Sequence, residues 1–139
     1  MGNVIRLSNK KDSEHGAIAR KGELTRAAIL DAALELSAIH ELTNGCIYIS
    51  GAVEFDDRPG AVRDQLVQSV DMWRQALLKA IKISIAEGHL KKDANPEAML
   101  FGIYSAVLGL HHDARFLRLT KSIPLAKNLV KKIINENKI

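Results

Sequence analysis

Apolar residues recur at helical spacing along most of the chain, in five segments separated by turn signals. In the first, over 23–40, Leu24, Ile29, Ala32, Ala33, Leu36 and Ile39 fall near a 3.6-residue period. The cluster Thr43-Asn44-Gly45 ends it. The next stretch, 46–55, is rich in β-branched residues, which allows a strand. No second strand is available to pair with it, so a short buried helix is expected. A long helix over about 57–87 follows, with Asp57 expected as N-cap and Pro59 in the first turn. Its stripe is Val62, Leu66, Val70, Trp73, Leu77, Ile81 and Ile85, and Gly88 reads as a left-handed stop. Asn95-Pro96-Glu97 opens a fourth helix running to about residue 118. The last, roughly 124–137, places Leu125, Leu129, Val130, Ile133 and Ile134 together. The expected fold class is all-α, with about five helices in a bundle.

The fourth helix carries two patterns at once. Leu100, Tyr104, Val107, Leu108 and His111 form a large-residue face, while Gly102, Ala106 and Gly109 form a small-residue one. An interior helical glycine costs about 1 kcal/mol against alanine, so close approach of another helix is the expected offset. A symmetry-related subunit is one such helix. Gly102, Ala106 and Gly109, extended by Leu125, Leu129 and Ile133, are then the expected interface of a homodimer. The alternative is that both faces are internal to one chain.

Composition narrows the function classes. The 139 residues are 47% hydrophobic and 26% charged, a globular balance for one domain of ordinary size. Only 4% are aromatic, so the core is aliphatic. The net charge is +4, and part of the excess sits early. Arg6, Lys10, Lys11, Arg20 and Lys21 outnumber Asp12 and Glu14 in the first 22 residues. Residues 1–20 read as a flexible basic tail offering at most weak, salt-sensitive attraction to an anion. Cys46 is the single cysteine, which fits a reducing cytoplasm, and no apolar segment is long enough for a membrane span. No cofactor or metal is expected. His111 and His112 are adjacent and point about 100° apart on a helix, a poor arrangement for one ion. No phosphate-cradling glycine loop or Ser/His/Asp constellation is present, so the chain is not expected to be an enzyme.

Arg20-Lys21 leading into Thr25-Arg26, the Ile29-Leu30 pair and the Ala32-Ala33 doublet resembles the first helix of TetR-family transcriptional repressors. The run from Gly45-Cys46 through Glu54-Phe55-Asp56-Asp57-Arg58-Pro59-Gly60 to Asp64 is similar to the C-terminal domain of one branch of that family. So are Glu87-Gly88-His89-Leu90 and His111-His112-Asp113-Ala114-Arg115. The resemblance spans most of residues 20–137. It implies a residual first helix over 21–42 and an effector-binding and dimerisation domain over 45–137. It also departs from the family. His40-Glu41-Leu42-Thr43-Asn44 leads directly into Gly45, with nothing that matches a recognition helix.

A helix-turn-helix reads bases with its second helix in the major groove. Without it, Thr25 and Arg26 are expected to make only weak phosphate contacts, and DNA to be engaged weakly or through an intact partner. The resemblance further implies a small apolar effector held among the helices. Met72, Trp73, Leu77, Phe101, Tyr104 and His111 are the residues expected near it, plain core being the alternative for each. The implied function is a truncated TetR-like regulator. The alternatives are a stand-alone small-molecule-binding module and a dominant-negative heterodimerising one.

Overall fold

A computed structural model describes residues 45–139. The segments 1–20 and 21–42, with Thr25 and Arg26, lie outside the described residues. Four α-helices and one π-helical turn follow one another: α1 (Ile47–Phe55), α2 (Ala61–Ala86), α3 (Pro96–His111), the turn His112–Phe116, and α4 (Ser122–Glu136). There is no strand among the described residues, only an isolated antiparallel bridge between Leu90 and Lys138. The expected all-α class holds.

The core lies where the C-terminal half of α2 crosses α3 and α4. Leu77 and Ile81 of α2 meet Met99, Leu100, Ile103 and Ala106 of α3 and Val130 and Ile134 of α4, with Leu90 plugging the end. These positions repeat at three and four along each helix, so each buries one continuous stripe. Ser84 is the polar member of the α2 stripe, and its hydroxyl donates to the Ala80 carbonyl at 2.9 Å. Helix α2 stops at Gly88, whose φ of +73° is open to glycine at little cost. The amides of His89 and Leu90 then return to the Ser84 carbonyl. Asn95 caps α3, its Oδ1 accepting from the Ala98 amide at 3.0 Å, with Pro96 at the first position. The end of α4 is tied to the same loop: the Lys91 amide donates to the Asn137 carbonyl at 2.8 Å, and its Nζ to the Glu136 carbonyl at 2.7 Å.

Four sequence expectations need correction. Residues 47–55 are helical, but α1 has no buried residue; among the described elements it packs chiefly against α2. Asp57 does not cap α2. The helix begins four residues after it, at Ala61 behind Gly60 at φ +142°, and the Asp56 carboxylate instead accepts from the Asp57 amide. Helix α3 ends at His111 rather than near 118. There the backbone widens into a π turn, the Leu117 amide reaching back to the His112 carbonyl. Arg118 follows in a left-handed conformation, φ +59°, which turns the chain toward α4. Helix α4 begins at Ser122, two residues before Pro124, and the Ser122 hydroxyl donates to the Leu119 carbonyl.

Candidate functional site

The N-terminal half of α2 projects beyond the core, and α1 folds back along it. Gly51 makes that approach possible: a Cβ there would stand 3.0 Å from Leu66 Cδ1. Because α1 is short and slender at this point, the two helices do not close completely over α3. Two adjoining cavities remain between them, and Val70 and Tyr104 belong to the walls of both.

The larger cavity has a volume of about 330 Å³. Helix α1 contributes Ala52 and Phe55, and α2 contributes Leu66, Val67 and Val70. Its polar wall is Arg63, Asp71 and Arg74 of α2 with Asp56. The smaller, of about 160 Å³, lies between Tyr48 and Ile49 of α1, Met72 and Trp73 of α2, and Val107 of α3. Tyr104 rises from α3 between the two. Its ring lies 5.4 Å from that of Trp73, and the Arg74 guanidinium sits 4.8 Å from its centroid. Trp73, Tyr104 and Arg74 thus form one cluster of two tilted rings and a cation over a ring face. Burial pushes the Tyr104 phenol above its usual range, partly opposed by the Arg74 charge.

Several donors of this site have no acceptor in the fold or have N–H groups to spare. Trp73 Nε1 is buried with no hydrogen-bond partner. Arg63 Nε donates to the Asp56 carbonyl at 3.2 Å, which leaves the terminal nitrogens of its guanidinium. Ion pairs among the described residues include Arg58 with Glu54, Lys82 with Glu97, Lys132 with Glu136 and the histidine pairs His89–Glu87 and His112–Asp113, and Arg63 and Arg74 belong to none of them. Chemically the cleft can hold an apolar molecule and offer it N–H groups. Among the described residues, no group of three or more His, Cys, Asp or Glu is placed to hold a metal ion.

Of the six residues expected near an effector, the structure brings three together: Met72, Trp73 and Tyr104. Leu77 lies one turn deeper on α2 and is sealed in the core, 1% exposed. Phe101 is on the outer face of α3 and 68% exposed, and His111 is buried at the far end of that helix, on the walls of neither cavity. Arg63 and Arg74 were missed, as were the α1 residues. A signal existed: positions 63, 67, 70 and 74 are spaced four, three and four, one helical stripe beside the apolar one.

The small-residue face of α3 divides. A Cβ on Gly102 would stand 2.9 Å from Ile133 Cδ1 of the same chain, so this glycine admits α4. Ala106 is buried in the same core, against which Ile133 also packs. Gly109, by contrast, has open space where a Cβ would be. Leu125 and Leu129 on α4 are exposed, 61% and 45%, as are Phe101 and Leu108 on α3. One part of the expected interface is therefore intrachain packing, and the other is an outward apolar face.

The sequence matches the family model described as tetracyclin repressor-like, C-terminal domain, over residues 24–130. The chain belongs to the TetR family. The match takes in α1, α2, α3 and most of α4, so the residues of the cleft and the exposed leucines of α4 lie within the matched region. It begins at Leu24, within the segment whose resemblance is to the first helix of the DNA-binding domain. A comparison with curated proteins gives no match. No helix among the described residues is long and apolar enough to cross a membrane.

Proposed function

We propose that this chain is the effector-binding and dimerisation part of a TetR-type transcriptional regulator, working in the cytoplasm as a homodimer and not as an enzyme. The cleft floored by Tyr104 carries the effector half of the reading. It is of ligand size, lined mainly by apolar groups, and contains an unpaired buried donor. The dimer half is supported by Phe101 and Leu108 on α3 and Leu125 and Leu129 on α4, large apolar side chains left exposed on two helices that pack together. Sequence-specific DNA binding by this chain alone is not part of the proposal, because no segment matches a recognition helix. A chain that keeps the pairing face without a reading helix is also suited to pair with an intact relative and disarm it.

The extent of the family match favours a second reading of 21–42. Starting at Leu24, it treats that segment as belonging to the C-terminal domain rather than to a residual DNA-binding one. Both readings predict the same behaviour toward DNA. Light scattering on the purified chain should give twice the 15.3 kDa monomer mass. A gel-shift at physiological salt should give no preference for one duplex over scrambled competitors. A monomer across the accessible concentration range would refute the dimer, and selective recognition of one duplex would refute the assignment as a non-reading module.

A further inference from the structure

The effector reading leaves open what kind of molecule the cleft takes, and its charges point to one class. Arg63 and Arg74 are partly buried in its wall, and neither belongs to an ion pair of the described residues. Asp56 and Asp71 also line it, but both are exposed. Each already accepts a hydrogen bond from its own chain, Asp56 from the Asp57 amide and Asp71 from Gln75 Nε2. The carboxylates therefore keep their water while the guanidiniums lose part of theirs. A partly desolvated cation without a counter-charge is the costly member of such a set, and an anion entering beside it removes that cost.

Position separates the roles of the two arginines. They lie eleven residues apart on α2, about 16 Å along the axis. Arg74, lying over the Tyr104 ring where the two cavities adjoin, is held in place by that ring and presents its edge. Arg63 stands near the first turn of α2, tethered through Nε to Asp56, where it attracts an anion without anchoring it. From Arg74 the wall formed by Val70, Val67 and Leu66 offers an apolar track. On the other side, Trp73 Nε1–H lacks an acceptor.

We infer that the cleft takes a small apolar carboxylic acid, its carboxylate on Arg74 and its apolar body along Leu66, Val67 and Val70. This rests on the effector reading above and adds the headgroup to it. A neutral amide of the same shape fills the track but leaves Arg74 without its counter-ion. An amine places a second cation beside it.

The test uses the full chain and three eight-carbon probes: octanoate, octanamide and octylamine. Trp73 is the single tryptophan, so its emission reports occupation of the site directly, with calorimetry as the second readout. Octanoate should bind saturably and at least about tenfold more tightly than either of the others, the usual scale for a hydrogen bond to a charged group. Raising the salt should weaken octanoate and leave octanamide unchanged. Arg74→Gln should bring octanoate down to the level of octanamide, and Arg74→Lys should fall between, since it keeps the charge and loses the planar stack. Circular dichroism of both variants checks that the fold is intact. Equal affinity for octanoate and octanamide, or an unchanged preference in Arg74→Gln, overturns the anion inference while leaving the effector cleft standing. Failure of all three probes to move Trp73 emission or release heat overturns both.

Discussion

Tyr104 concentrates the chemistry of this chain at the scale of one residue. It packs on Trp73, carries Arg74 on its face and belongs to the walls of both cavities. Burial favours its neutral form, so its folded pKa stands above the unfolded value of 10.0. For an acid with a raised folded pKa, the contribution to stability is complete below the unfolded pKa. It is lost as pH rises through the folded one, because the unfolded chain gives up the proton first. Urea midpoints should therefore fall more steeply above about pH 10 in the parent than in Tyr104→Phe, which has no phenol to ionise. Equal slopes in the two proteins would contradict the burial assigned to Tyr104. Its place at the cleft was legible, since it shares a helix face with Leu100 and Val107. Leu77 was not separable from Trp73 in the same way. The two are a turn apart on one stripe, and only the crossing of α3 decides which is sealed and which borders a cavity. Arg63 and Arg74 were passed over for a different reason, despite their spacing with Val67 and Val70: periodicity weighs apolar residues, and a cleft wall needs the opposing helix to be in place.

At the scale of elements, helix types and most boundaries followed from period and caps. Gly88, Asn95 and Pro96 each act as their chemistry requires, by left-handed φ, side-chain capping and a missing N–H that costs nothing. The misreadings arose where two local signals competed. Asp57 reads as a cap for α2, but Pro59 and Gly60 intervene and the helix starts only behind Gly60. The π turn at His112–Phe116 has no compositional mark, since its widened backbone is selected by how α3 hands over to α4. The two glycines of α3 separate packing from propensity. Gly109→Ala adds a Cβ into open space and should stabilise the isolated fold by up to about 1 kcal/mol. Gly102→Ala brings the same propensity but pushes its Cβ onto Ile133 Cδ1, so its net effect should be near zero or destabilising. Denaturant titrations of both variants, at concentrations low enough to dissociate a dimer, read the difference. A larger gain at 102 than at 109 would be incompatible with the α3–α4 contact.

At the scale of the described residues as a whole, a core at one end leaves two surfaces to be explained: the cleft between α1 and α2, and the exposed apolar residues of α3 and α4. They lie on different parts of the fold, the cleft floored by Tyr104 and the outer face built from Phe101, Leu108, Leu125 and Leu129. If the outer face joins two chains, a charge placed on it must cost association and little else, because the replaced side chains are already largely in water within one chain. Leu125→Glu combined with Leu129→Glu should therefore convert a dimer to a monomer in sedimentation experiments. Each monomer should keep its helical content and its response to octanoate at Trp73. Across such a face, two buried carboxylates per chain without partners are prohibitive, so the loss of association should exceed about a hundredfold. Helicity lost together with the dimer would mean that these leucines hold the fold itself, and a dimer that survives both charges would place the pairing surface elsewhere.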